Sequence, residues 1–347
     1  MATKTKLIGA IIIILTILSC VRGVNMDNEA AKLLYKDPKK FNKEYKGKEA
    51  DLSNATMRGM EIYSANLTDA NLKGADLRDT YFKNSNLKQA NLSGAVLTGA
   101  SFINCKLDGV IIKNSKLHRV EFQDCSINNA NLTNSRLNEL TINKCNLTDS
   151  ILNNIQCRET EFYRSEIQSC EAKNSTFEKG VINFSNFMGS DLTNAKFQTT
   201  IKQDSSFYRC DLTKANFSGS TLKGQLWSRP SFLKAEAQNA SFSKCRMYFV
   251  SMMHTNLENA DFTDASLELL GFEYTNLTNA NFTMTTITGV NICKANLNNT
   301  NFSNAVFNES FIAADAQFKD PIFNNTINNI NKLDLNNTIY EEQGLPF

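Results

Sequence analysis

The sequence predicts an all-β solenoid, a chain that turns a corner every five residues and winds back over itself. Two counts carry this. Every fifth position from Leu52 to Ile312 gives 53 centres, of which 48 are Leu, Ile, Phe or Met. The residue two places earlier, from Ala50 to Ser310, is Ala, Ser, Thr, Cys, Val or Gly at 47 of the 53. Neither the helical period of 3.6 nor the strand period of 2 produces such a pattern. One large and one small inward residue in every five specify a stacked repeat.

The individual pentapeptides include Ala65-Asn66-Leu67-Thr68-Asp69, Ala70-Asn71-Leu72-Lys73-Gly74, Ala75-Asp76-Leu77-Arg78-Asp79 and Ala260-Asp261-Phe262-Thr263-Asp264. They read A(D/N)(L/F)xx, and over about three quarters of its length the chain resembles the pentapeptide-repeat proteins. The resemblance implies a right-handed quadrilateral parallel β-helix of about 13 coils, four pentapeptides to a coil, with the centre and the small residue inward. By itself it implies no function. On that geometry residues 20 apart stack. The column through Ile62 then holds eight Phe in thirteen positions, among them Phe82, Phe102, Phe122, Phe242 and Phe262. Residues ten apart face each other across the core and compensate in size, Trp227 against Ala237 and Phe162 against Ala172, as near-constant packing density requires. Thirteen coils at ~4.8 Å make a rod ~60 Å long.

The unbroken register argues for one elongated domain in four segments: 1–19 an export signal, 20–49 a linker and N-terminal cap, 50–312 the β-helix, and 313–347 a C-terminal cap and tail. Lys4 and Lys6, the apolar run Leu7 to Leu18 and the small residues after it read as a signal. Ile17-Leu18-Ser19-Cys20 resembles a bacterial lipobox, which implies a lipid on Cys20; ordinary cleavage near Gly23 and an uncleaved anchor are the alternatives. The run is shorter than the ~20 residues that a spanning helix needs. The chain is therefore expected to be exported to the cell envelope, with the membrane contacted through this segment. Asn28 to Tyr35 offers an N-cap and an apolar stripe, hence a short helix before Pro38 that covers the first coil. After Ile312 the register decays, since Phe318 and Phe323 no longer fall on it. A role for this end in oligomerisation is the functional alternative, and the oligomeric state is left open.

Six of the nine cysteines, Cys105, Cys125, Cys145, Cys170, Cys210 and Cys245, take the small inward position. They read as buried hydrophobes rather than bridges, because parallel Cβ vectors one coil apart exceed the usual ~3.8 Å of a disulfide. Two anomalies sit close together. Lys202 falls on an inward centre, where an unpaired ammonium costs several kcal/mol, and a bulge between Thr199 and Ser205 that turns Ile201 inward would release it. Gln225 and Pro230 take small-residue positions, so 199–238 is expected to be the least regular stretch.

No site for chemistry emerges: no catalytic, cofactor-binding or metal-binding residues are expected, and no cofactor. His118 and His254 fall nearly seven coils apart, and no phosphate loop, GxSxG or zinc spacing occurs. Between Asp51 and Ile312 there are 25 basic and 25 acidic residues, unevenly spread: residues 200–250 hold eight basic against three acidic, whereas 256–312 hold six acidic against Lys294. Glu258, Asp261, Asp264, Glu268 and Glu273 are the candidate docking surface. The expected function is a non-enzymatic structural or interaction scaffold with an unidentified protein partner; nucleic acid is not expected as a partner. The alternative is implied by the resemblance, since some members of the family mimic DNA and bind type II topoisomerases.

Overall fold

In the computed structural model residues 28–202, 204–225, 230–334, 336 and 338–341 are described. They wind as a parallel β-solenoid of about 13 coils. Its four faces start with the centres Leu52, Met57, Ile62 and Leu67, all fully buried. Three hydrogen bonds on a typical face tie each coil to the next, as when Leu52 N–H donates to Asn71 O (2.8 Å), Asn54 N–H to Lys73 O (2.8 Å) and Asn71 N–H to Ala50 O (2.9 Å).

The period of five has a local cause. Ala55 N–H donates back to Leu52 O at 3.2 Å, closing a four-residue turn with Asn54 at φ 54°. That left-handed position favours Gly, Asn and Asp, and one residue adopts it at nearly every described corner, with exceptions at Thr199 and Gly224. At the corner between the first and second faces it is Asn in coil after coil. Their amides form a ladder, with Asn134 donating to Asn114, Asn154 to Asn134, Asn279 to Asn259 and Asn299 to Asn279 at 3.0–3.3 Å.

A second ladder lies inside. Side chains at the small position donate to the carbonyl of the centre one coil earlier: Ser175 Oγ to Leu152 O (2.7 Å), Thr275 Oγ1 to Met252 O (2.7 Å), Cys210 Sγ to Phe187 O (2.9 Å). That carbonyl already accepts the turn N–H and uses its second lone pair here. Ser, Thr and Cys therefore replace Ala in the core without leaving a buried polar atom unpaired. The six cysteines assigned to this position, together with Cys157, are buried and free.

The expected release of Lys202 occurs. The register shifts between Gln198 and Thr200, Ile201 becomes fully buried beside Ile182, and Lys202 is exposed. Apart from one-residue bulges, the expectation of uniform 20-residue coils needs correction in one coil. Ser206 pairs with Ser231, Asp211 with Glu236 and Asn216 with Ser241, so this coil closes after 25 residues. Leu222 consequently stacks on Met247, not on Phe242. One whole additional pentapeptide enters between Leu222 and Phe232, which preserves the period of five while moving every later residue back by one face. Gln225, assigned to an inward position, is exposed for this reason, whereas Pro230 is buried. Trp227 lies outside the described residues.

With that coil placed, the aromatic core regroups. Phe242, Phe262, Phe282 and Phe302 leave the column of Ile62 for the second face. There they continue Phe177, Phe197 and Phe217 and end on Phe323. Eight Phe rings stack without interruption at centroid distances of 4.6–5.1 Å. Phe187, Phe207 and Phe232 stack on the fourth face and meet this ladder edge-on, at 5.6 Å for Phe217 against Phe232. Edge-to-face contacts of this kind add to simple area burial.

Helix α1 (Glu29–Lys36), capped by Asn28 as expected, and helix α2 (Pro38–Glu44), capped by Asp37, lie at the N-terminal end. Leu34 and Phe41 are fully buried in the continuous core. Asn42 donates to Ser64 O (2.8 Å) and accepts from Asn66 N–H (2.7 Å), satisfying backbone groups that have no earlier coil to pair with. At the other end the register shifts by one residue rather than decaying. Bulges near Asn308–Ser310 displace it, after which Phe318 and Phe323 take up the inward positions of two faces. Coiling continues to the pairing of Gln317–Lys319 with Ile339–Glu341.

Candidate docking surface

The five acidic candidates all belong to one coil, and the fold distributes them around it. Glu258 follows Leu257 on the first face, Asp261 precedes Phe262 on the second, and Asp264 holds the next corner at φ 59°. Glu268 follows Leu267 on the third face, and Glu273 follows Phe272 on the fourth. They form a girdle, not one surface. Two are also engaged within the rod. Asp261 accepts from Thr263 N–H (3.0 Å) and Thr263 Oγ1 (2.5 Å), and Glu273 Oε1 accepts from Asn291 Nδ2 (2.9 Å). The second Glu273 oxygen lies over Gly271, where any Cβ would collide with it. Cys20 and the remainder of the expected signal lie outside the described residues.

His118 and His254 are far apart, as the repeat requires. His118 approaches Glu139 at 3.9 Å, and His254 stacks on Tyr274 at 4.6 Å. Among the described residues no cluster of His, Cys, Asp and Glu could hold a metal ion, and no helix is long and apolar enough to cross a membrane. Burial pushes the thiols of Cys170, Cys210 and Cys245 up to about 12, so all three stay protonated near neutral pH.

The sequence reading missed a different surface, on the fourth face. Its outward positions after the centre are Met188, Tyr208, Leu233 and Met253 in four successive coils, all half-buried. The outward positions before the centre are small there: Ser206, Ser231 and Ser251, followed by Gly271. Apolar side chains thus stand in a row above a low floor. Along one border, the corner toward the first face, lie Arg209, Lys234 and His254, followed by Tyr274 and Lys294, all exposed. Arg209 leans over Tyr208 at 5.2 Å; Lys294 lies over the Tyr274 ring at 5.1 Å and donates to its hydroxyl at 3.3 Å. Phe184, Phe249 and Leu269 line the opposite corner, interrupted by Asp204. Counting by 20 hides this row, because Tyr208 would then be followed by Ser228 and Tyr248.

A family model described as "Pentapeptide repeats (8 copies)" matches residues 48–79, 75–114, 185–224, 231–268 and 287–320, more than half of the chain. A second, "Pentapeptide repeat region", matches 95–169. The matches break at 225–230, where the additional pentapeptide enters. No curated protein matches the chain. Among solved structures, HetL, a pentapeptide repeat protein involved in heterocyst differentiation regulation from the cyanobacterium Nostoc sp. strain PCC 7120, is 19% identical, with a TM-score of 0.33 over 66% of this chain and 93% of HetL. QnrB1, a plasmid-mediated fluoroquinolone resistance protein, is 16% identical, with a TM-score of 0.31 over 62% of this chain and 91% of its own. The mannuronan C-5 epimerase AlgE6 A-module of Azotobacter vinelandii is 8% identical, with a TM-score of 0.33 over 90% of this chain and 96% of its own. With its repeats matched across more than half of its length, the chain belongs to the pentapeptide-repeat family.

Proposed function

We propose that the protein is a non-enzymatic scaffold of the cell envelope, exported by its N-terminal segment, which presents the outer faces of its coils to a protein partner. The observation that supports this reading is the filled interior. Apolar side chains stack coil upon coil from Leu52 to Phe318. Two interior spaces, one bordered by Cys157 and Gly180 and the other by Phe272 and Val290, measure about 10 Å³ each. Such a space holds about one water and no substrate. Contact with a partner therefore falls to the side chains on the four faces.

The alternative, imitation of DNA toward a type II topoisomerase, asks for acid along one surface and for binding that weakens steeply with salt. The girdle around a single coil does not offer that surface. The purified rod is expected not to inhibit DNA supercoiling by gyrase at micromolar concentration. Inhibition that charge reversal at Asp261, Asp264 and Glu268 abolishes would replace the scaffold reading with the mimic. The envelope location has its own test. Palmitate labelling in the native host is expected and should be lost in Cys20→Ser. A wild-type chain that takes up no label would remove the lipid and leave a signal without one, cleaved near Gly23 or retained as an anchor.

A further inference from the structure

We propose that the row Met188, Tyr208, Leu233 and Met253 on the fourth face is the docking surface of this scaffold, and that its occupant is an amphipathic helix of a partner protein with acidic residues along one flank. The inference rests on the scaffold reading and gives the partner a chemistry. Three observations select the occupant.

The first is the backbone. Gly189 N–H donates to Tyr208 O, Arg209 N–H to Leu233 O, Lys234 N–H to Met253 O and His254 N–H to Glu273 O, at 2.9–3.2 Å. The solenoid ladder on this face is complete, so a partner strand finds no edge to pair with, and recognition passes through side chains alone.

The second is spacing. Successive side chains in the row stand one coil apart, ~4.8 Å, while successive turns of a helix rise ~5.4 Å. Over the three steps from Met188 to Met253 the mismatch stays below about 2 Å. A helix lying along the rod can therefore set residues i, i+4, i+7 and i+11 against the row. The small side chains of Ser206, Ser231 and Ser251 leave room for it to approach.

The third is charge. The four residues of the row are neutral, and the border beside Tyr208 and Leu233 carries Arg209 and Lys234, which select acid on the flank of the helix that lies over that corner. An anionic membrane would meet the same cations but also Asp191, Asp211 and Glu236, which form a column on the adjoining first face. A helix of ~10 Å diameter covers the row and the corner only. A second copy of the chain placed face to face with the rods antiparallel would set the cationic corner against itself.

The test uses the full chain and a synthetic 18-residue helical peptide with leucines at i, i+4, i+7 and i+11 and glutamates along one flank. A counterpart with lysines in place of the glutamates is the control. Fluorescence anisotropy should show saturable binding of the glutamate peptide, weakened by added salt, and none of the lysine peptide. Tyr208→Ser with Leu233→Ser should weaken it about 30-fold, as loss of buried anchors does. Arg209→Glu with Lys234→Glu should weaken it about tenfold and abolish the salt dependence; Glu139 and Glu159 already occupy equivalent left-handed corners, so these variants are expected to fold. Circular dichroism verifies folding. The proposal is overturned by absence of binding, by equal binding of the lysine peptide, or by binding that the variants leave unchanged. Preferential capture of phosphatidylglycerol vesicles, or self-association that the serine variants abolish, overturns it as well. The gyrase assay is independent, so the scaffold reading and this surface can fail separately.

Discussion

Phe217→Ala is expected to lower the stability of the rod by about 3–5 kcal/mol, the cost of removing a buried ring and leaving a cavity. Phe217 stacks between Phe197 at 4.6 Å and Phe242 at 5.0 Å, and meets Phe232 and Phe207 edge-on at 5.6 and 6.2 Å. Each neighbour is itself held one coil away by the backbone ladder, so the walls cannot collapse into the gap. Because a solenoid is stabilised by nearest-neighbour contacts, the loss should divide the rod. Denaturant unfolding followed by hydrogen exchange should show the coils on both sides of Phe217 opening first, with those near Leu77 retaining protection. A loss below about 1 kcal/mol would mean that Phe217 does not stand between two rings.

Much of this fold is legible in the sequence, and the reason is physical. Each five-residue corner must place one large and one small side chain inward, so the core is written locally and repeats without long-range uncertainty. Lys202 shows how far that logic reaches. The cost of burying its ammonium, with Ile201 beside it, points to a one-residue bulge, and the bulge is there. The N-cap at Asn28 is equally local.

The same locality hides the 25-residue coil. An insertion of one whole pentapeptide leaves the period of five intact, and face identity is a property of the whole coil. The signal was nevertheless present. Counting 25 once, after Phe217, turns scattered phenylalanines into an unbroken run from Phe177 to Phe302, and the one-residue shift near Asn308–Ser310 adds Phe323. It also aligns Tyr208 with Leu233 and Met253. The acidic candidates failed as one surface for a related reason, since 20 consecutive residues visit all four faces. Closeness in sequence therefore separates Glu258 from Glu268 in space, while residues far apart in sequence, such as Met188 and Met253, share a face.

The placement of that coil decides both the aromatic ladder and the apolar row, and one cross-linking experiment reads it directly. Ser218 and Ser243 occupy adjacent coils of the second face, with their hydroxyl oxygens 2.9 Å apart. Gln238, which would stack on Ser218 if the coil held 20 residues, lies on the first face, where Lys214 N–H donates to its carbonyl. Stacked Cβ atoms ~4.8 Å apart exceed disulfide reach, so a two-carbon bis-thiosulfonate is the suitable linker. The buried native thiols are shielded by the core around them, and the half-buried Cys293 is first changed to Ser. Mass spectrometry of the digested product is expected to find Ser218→Cys joined to Ser243→Cys and no link between Ser218→Cys and Gln238→Cys. A link to position 238 with none to 243 would contradict the 25-residue coil, and with it the Phe ladder and the docking row.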